Sequence, residues 1–256
     1  MDHYAHKRDG PDGDIVWQTL PEHLRRAAEI AAECLKCCGL SSAGYLAGLL
    51  HDLGKYPDEF QEYLKWGDSS RRGSVIHSFQ GCRFVLERFH VSEEGQYKIA
   101  AELLAYAVGA HHGLFDCVDD EKKIGLKYRR ERPDIHSDEA EERFLRDCAD
   151  EDEIERLFSQ AAEELDRLLG QIDSGYADDA EYCFQLGMLA RLLLSAVMEG
   201  DRRDTAEFTN GALFHNWPED MRPIWSGRLR FLEEKLGRFP QNTPVERDVY
   251  KRQGCG

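Results

Sequence analysis

His51 and Asp52 stand side by side directly after an apolar stretch of the sequence that runs from about Ser41 to Leu50. Polar groups at a position where burial is expected need partners, because each unpaired one costs about 1–3 kcal/mol. An imidazole and a carboxylate together suit divalent Mn, Fe, Co, Ni or Zn. The pair alone is more typical of a capping role at a helix end, so the metal interpretation depends on other residues.

Further histidines and one aspartate occupy comparable positions elsewhere in the chain. His23 and His77 lie in predicted core helices, His111 and His112 follow a helix of small residues, and Asp201 ends the last buried helix. A helical bundle can build an internal metal site from side chains on facing helices. The distribution therefore predicts that these residues meet His51 and Asp52 at one metal centre.

The elements that must position these residues are all predicted to be helices, so the sequence indicates an all-α fold. Thr19 and Glu22 have the spacing of a capping box, with Pro21 in the first turn of a helix that runs to about Cys38. The next helix, residues 41–53, is apolar nearly all round and is expected to end at Gly54. Hydrophobic periodicity predicts further helices over about 57–66, 74–89, 100–110, 181–200 and 218–236, with His77 in a first turn and residues 3–18 as an irregular lead-in.

Residues 116–173 are rich in charge but keep helical apolar spacing at Ile154, Leu157, Phe158 and Leu165. This pattern indicates amphipathic helices, which we interpret as an insertion or an outer layer of the bundle.

The composition limits the classes of function. Of the 256 residues, 41% are hydrophobic and 32% charged, as in an ordinary globular protein, and the net charge is −16. A chain this acidic is not expected to hold duplex nucleic acid through bulk electrostatics. No transmembrane run or signal peptide is recognisable, so we expect a cytoplasmic protein with no membrane partner. The cluster Cys34, Cys37 and Cys38 lacks a second cluster at zinc spacing, and reduced thiols are expected.

The ordered set from His23 through His51-Asp52-Leu-Gly-Lys55, His77 and His111-His112-Gly to Asp201 resembles the HD superfamily of metal-dependent phosphohydrolases. It looks more closely like the HD nuclease domain of the CRISPR-associated helicase–nuclease of type I systems. The resemblance covers about residues 3–236 and includes Tyr4-Ala5-His6, Leu20-Pro-Glu-His23, His111-His-Gly-Leu-Phe-Asp116 and the run from Arg191 to Thr205. It implies an HD nuclease domain over residues 1–240, with 116–173 as a charged helical insertion and 241–256 as a tail or linker.

The resemblance also implies a ligand set for one or two divalent transition metal ions, with Mn, Ni, Co or Fe favoured over Mg and Zn an option. His23, His51, Asp52 and Asp201 would hold one ion. Asp52 would bridge to a second ion held by His77, His111 and His112. Asp52 and Lys55 would act in catalysis, with Lys55 placing a cation against the phosphate or the leaving oxygen.

The implied activity is hydrolysis of single-stranded DNA in antiviral defence, in partnership with a helicase domain or subunit and a guide-RNA surveillance complex. A phosphohydrolase of nucleotides or cyclic dinucleotides, and a non-catalytic HD binding module, are the alternatives. The family often has Asp-Ala-Asp where this chain has Glu199-Gly200-Asp201, so Glu199 or Asp204 competes with Asp201 for the last ligand position. No GxxxxGK[ST] motif occurs, which leaves a stand-alone subunit and an excised domain both open.

Overall fold

The computed structural model describes residues 2–66, 75–114, 125–173, 178–211 and 221–238. These residues form ten α-helices and one two-stranded sheet, so the predicted all-α fold is confirmed. The six cysteines among them are free thiols. The chain divides into two compact units, Met1–Ala212 and Leu213–Gly256.

The first unit contains α1 to α9 and several short 3-10 turns. The helices are α1 (Leu20–Leu35), α2 (Ser41–Leu50), α3 (Asp58–Trp66), α4 (Phe79–Phe89), α5 (Gly95–Gly109), α6 (Leu126–Arg130), α7 (Ser137–Asp147), α8 (Glu151–Asp173) and α9 (Asp179–Asn210). The described part of the second unit is α10 (Arg222–Gly237), which exposes Trp225, Leu229, Phe231 and Leu232.

The expectation of an irregular lead-in over residues 3–18 is wrong, because a hairpin precedes the bundle. Strands β1 (Tyr4–Asp9) and β2 (Ile15–Thr19) pair antiparallel, with a register irregularity between Tyr4 and His6. The Gln61 side chain of α3 holds β1 in place, since its Oε1 accepts from Tyr4 N and its Nε2 donates to Tyr4 O, both at 3.0 Å. The hairpin is thus fixed by tertiary contacts, which the local sequence of its two short strands did not reveal.

The start of α1 forms as the sequence predicts. Glu22 N donates to Thr19 Oγ1, and Thr19 N donates to Glu22 Oε2, which completes the capping box. The α-helix ends at Leu35 and continues as a 3-10 turn over Lys36–Cys38.

Glycines let α2 and α9 approach α1 closely enough for their polar residues to meet. A Cβ at Gly48 of α2 would lie 2.7 Å from the Cα of Ala28, and one at Gly200 of α9 would lie 2.4 Å from the carbonyl oxygen of Ala27. Any larger residue would force the helices apart, at a cost of about 1–3 kcal/mol. This close packing brings His23, one turn before Ala27, next to the end of α2 and the middle of α9.

Three predicted boundaries need correction. Gly54 does not end α2 in a left-handed conformation; it lies within a 3-10 turn, Leu53–Lys55, where a Cβ would be 2.2 Å from the backbone oxygen of His77. His77 is not in a first turn, because α4 begins only at Phe79. Helix α9 does not stop near Gly200 but continues to Asn210, since that glycine serves helix packing rather than termination.

The charge-rich segment contributes to the same hydrophobic core as the rest of the unit, and its residues 116–124 lie outside the described residues. Phe144, Ile154 and Leu165 are fully buried in that core. Glu164 of α8 also accepts from the backbone N–H groups of Ser42 and Ala43 at 3.0 Å each. A carboxylate at the N-terminus of α2 interacts favourably with the helix dipole and so stabilises the helix.

By length and composition alone, α9 is the one described helix that could cross a membrane, with a mean hydropathy of 1.3 over its most apolar window. A core helix of a soluble protein passes the same test. Helix α9 packs Leu193 and Val197 into the core and buries Asp204 and Glu207.

Candidate metal centre

Four side chains from three helical elements meet in the interior of the first unit. His23 comes from α1, Asp201 comes from α9, and His51 and Asp52 directly follow α2. The Nε2 atoms of His23 and His51 each lie 3.3 Å from Asp52 Oδ2, and 3.6 and 3.8 Å from Asp201 Oδ1. We call these four residues the inner group; their ligand atoms all lie within 4.8 Å of one another.

Asp52 faces a second set of imidazoles through its other oxygen. Its Oδ1 lies 3.4 Å from His111 Nε2 and 3.9 Å from His77 Nε2, and His77 Nε2 is 2.9 Å from His112 Nε2. Asp52, His77 and His112 form a second candidate cluster, which we call the rim group because His112 is exposed and His77 is 20% exposed. His111 is buried between the two groups, with its ring 5.1 Å from that of His51 and 4.0 Å from that of His112.

The structure therefore brings together every residue of the sequence-predicted ligand set. The predicted division also has a counterpart here, because Asp52 belongs to both groups. His111 differs from the prediction in one respect. Its Nε2 lies 3.4 Å from Asp52 Oδ1, but His111 does not belong to the rim group, whose ligand atoms all lie within 4.8 Å of one another.

The orientation of the imidazoles leaves their Nε2 atoms free to bind. The Nδ1 atoms of His51 and His111 donate to the carbonyl oxygens of Gly48 and Val108, each at 2.6 Å. Among the described residues, Nε2 of His23, His51 and His111 has no hydrogen-bond partner although it is buried. Buried polar atoms without partners are rare and costly, and a metal ion would satisfy these atoms together.

Asp204 supports the centre from behind His23, which the sequence reasoning did not anticipate. Its Oδ2 lies 2.6 Å from His23 Nδ1 and 2.7 Å from Gln18 Nε2, while Asp201 faces the opposite nitrogen, Nε2. Glu199 is exposed. The spacing of three residues between Asp201 and Asp204 places both on the inner side of α9, and this spacing was the available signal. The geometry thus favours Asp201 as the ligand and Asp204 as the residue that orients His23.

A polar network surrounds the other predicted catalytic residue, Lys55. Its Nζ lies 2.6 Å from Asp52 Oδ2 and 3.5 Å from His6 Nε2, and Lys55 is 5% exposed. His6 in turn lies 3.1 Å from Thr205 Oγ1, which is 3.3 Å from Asp201 Oδ1. Neither His6 nor Thr205 was predicted to have a role, although both lie in motifs of the resemblance.

Burial and charge shift the titration of these groups in different directions. Burial works against a charged His51, yet the carboxylates of Asp52 and Asp201 outweigh it and raise the pKa of His51 to about 10. The pKa of Asp52 is lowered well below its usual value despite burial, because of Lys55 and His51. Burial lowers the pKa of His77 to about 4, against the opposing effect of Asp52. The carboxylates are thus charged and His77 is neutral at neutral pH, as metal ligands need to be, whereas His51 must lose a proton in order to bind a metal.

The donor set of five imidazoles and two carboxylates suits a divalent transition metal and is unlike the all-oxygen environment that Mg²⁺ prefers. An all-helical bundle that brings such side chains together from facing helices is an architecture in which proteins build internal metal sites. The family model for the HD domain matches residues 20–168, and the chain belongs to the HD domain family. A comparison with curated proteins gave no match. The family match confirms the predicted superfamily. HD domains are typically metal-dependent hydrolases.

Proposed function

We propose that this protein is a metal-dependent nuclease that hydrolyses phosphodiester bonds in single-stranded DNA during type I CRISPR interference. The observation that carries the proposal is the position of Asp52, whose two oxygens face the inner group and the rim group. A carboxylate shared in this way is suited to bridge two metal ions about 3.5–4 Å apart, the spacing used in phosphodiester hydrolysis.

The inner group would hold one ion, and the rim group with adjacent His111 would hold the second. When bound, the ions would supply Lewis-acid chemistry that lowers the pKa of water and neutralises charge on the phosphate. Lys55 would place a positive charge beside the carboxylate that the two groups share, because its Nζ lies 2.6 Å from Asp52 Oδ2. His6 and Thr205 would keep Lys55 and Asp201 in position through their contacts.

A polymer substrate is supported by the accessibility of the rim group. His112 is exposed and His77 is partly exposed, so a phosphate within a chain can approach from the surface. The paired His111-His112 is also the feature by which the sequence resembles the nuclease more than nucleotide-hydrolysing relatives. With a net charge of −16, the protein would depend on a helicase and a guide-RNA complex to deliver the strand.

The test compares substrates across metals. The purified protein is stripped of metal, supplied in turn with Mn²⁺, Ni²⁺, Co²⁺, Fe²⁺, Zn²⁺ or Mg²⁺, and incubated with labelled single-stranded DNA, duplex DNA, nucleotides and cyclic dinucleotides. We expect cleavage of single-stranded DNA above all, and its reduction to background in Asp52→Asn. Asp166→Asn, which makes the same change at an exposed position of α8, should cleave like the wild type.

Hydrolysis of nucleotides or cyclic dinucleotides without cleavage of single-stranded DNA would overturn the proposal in favour of the other HD activity. Inactivity on every substrate, with metal bound, would instead point to a binding module.

A further inference from the structure

The outer face of the hairpin carries an unusual combination of aromatic and basic side chains. The register irregularity after Tyr4 behaves as a β-bulge, which turns Tyr4 to the same face as Lys7 and Trp17. The rings of Tyr4 and Trp17 lie 5.0 Å apart, and Lys7 Nζ is 5.7 Å from the Trp17 ring centroid. The inner face of the hairpin carries His6 and Gln18, which contact the metal centre.

Helix α3 adds a second lysine to this face. Lys65 Nζ lies 5.9 Å from the Tyr4 ring centroid, and Lys7 Nζ donates to the carbonyl oxygen of Lys65 at 3.3 Å. Within the described ranges, neither lysine forms an ion pair with a carboxylate. Two adjacent lysines without acidic partners are unexpected in a protein with 49 acidic and 33 basic residues. We call Tyr4, Lys7, Trp17 and Lys65 the platform.

The platform is connected to the metal centre through α3. Gln61 bonds both to Tyr4 and to the carbonyl oxygen of Lys55, the latter at 2.7 Å. The Phe60 ring lies 5.0 Å from the ring of His77 in the rim group. Phe60 and Lys65 are separated by about 7–8 Å along the helix axis, so α3 extends from the rim group to the platform.

We propose that the platform binds single-stranded DNA and guides it into the metal centre. Unpaired bases would stack on Tyr4 and Trp17, and the two lysines would contact the flanking phosphates. A duplex would gain little from this surface because its bases are already stacked within the helix. The identification of the strand as the substrate rests on the proposed nuclease function, whereas binding itself does not.

Binding and cleavage are therefore measured separately. Fluorescence anisotropy of a labelled 20-nucleotide oligothymidylate, with metal-free protein at low salt, reports the platform alone. We expect Trp17→Ala to weaken binding about 10-fold, because a base can no longer stack on the indole ring. In Lys7→Ala/Lys65→Ala, the slope of log K against log salt should decrease by about 1.4, or about 0.7 for each phosphate that a lysine no longer neutralises.

Matched controls separate the platform from general charge and surface effects. Arg156→Ala/Arg167→Ala removes two positive charges from exposed positions of α8, and Phe184→Ala removes an aromatic ring that is 66% exposed on α9. Both controls should bind like the wild type, and Trp17→Phe should restore most of the affinity that Trp17→Ala removes. Metal stoichiometry checks that the hairpin variants keep an intact centre.

Equal binding by the platform variants and the controls, or a wild type that binds the oligothymidylate no more tightly than its duplex, would overturn the inference. Platform-dependent binding by a protein that cleaves no DNA would support the platform and count against the nuclease function. DNA cleavage by the wild type that is unchanged in the platform variants, together with unchanged binding, would support the nuclease function and count against the platform.

Discussion

The inner group and the rim group share Asp52 but differ in their surroundings. The three other residues of the inner group lie on α1, directly after α2 and on α9. The Nδ1 atom of His23 lies 2.6 Å from a carboxylate oxygen, and that of His51 lies 2.6 Å from a carbonyl oxygen. In the rim group, His77 lies before α4 and its Nδ1 is 3.2 Å from the carbonyl oxygen of Val75, while His112 is exposed. Ligands that are oriented in advance bind metal more tightly. The inner group would therefore hold a metal ion more firmly than the rim group would.

The largest expected effect is a split in metal stoichiometry between the two groups. His51→Ala removes a buried inner ligand and should eliminate the inner ion together with nearly all hydrolysis. His112→Ala should leave one ion bound and lower activity mainly at limiting metal concentration, because only the rim group is affected. Elemental analysis after gel filtration measures both, with circular dichroism as the check on folding. Equal losses of metal in the two variants would contradict the distinction between the groups.

A smaller effect is expected from the residue behind His23. Asp204→Asn keeps the size of the side chain but replaces the carboxylate that orients the imidazole with a neutral amide, so inner-ion affinity should fall about 10–100-fold. Competition with a chelator measures that affinity. Asp179→Asn, at an exposed position in the first turn of α9, is the matched control and should leave it unchanged. An unaffected affinity in Asp204→Asn would mean that packing alone orients His23.

Much of this arrangement could be predicted from the sequence, and the misses have physical causes. His23, His51, Asp52 and Asp201 were recognisable because each is polar at the end or on the face of an apolar helix. The hairpin was missed because its strands are short, β1 is mostly polar, and Gln61 supplies the stabilising bonds from elsewhere in the chain.

The glycines were interpreted from local rules where tertiary packing decides. Gly54 was expected to end a helix and α9 was expected to stop near Gly200, yet both glycines make room for a neighbouring backbone, that of His77 in one case and of Ala27 in the other. Such close approaches depend on which segments pack together, and local sequence rules do not reveal that. The extension of α9 beyond Gly200 is also what brings Asp204 to His23.

The remaining expected effect is a difference in pH dependence between the two groups. In the metal-free protein, His51 has a pKa raised to about 10 and is protonated at neutral pH, whereas His77, with a pKa near 4, is already neutral. An inner ion must displace the His51 proton, so its affinity should rise by up to about tenfold per pH unit between pH 6.5 and 10. Since His77 has no proton to lose, the affinity for the rim ion should depend less on pH above pH 6.

The raised pKa of His51 also stabilises the metal-free fold below pH 6.5, and this contribution should be lost as the pH rises through about 10. Calorimetric titration in buffers of different ionisation enthalpy counts the protons released with each ion, and equal release from both groups would remove the electrostatic distinction between them.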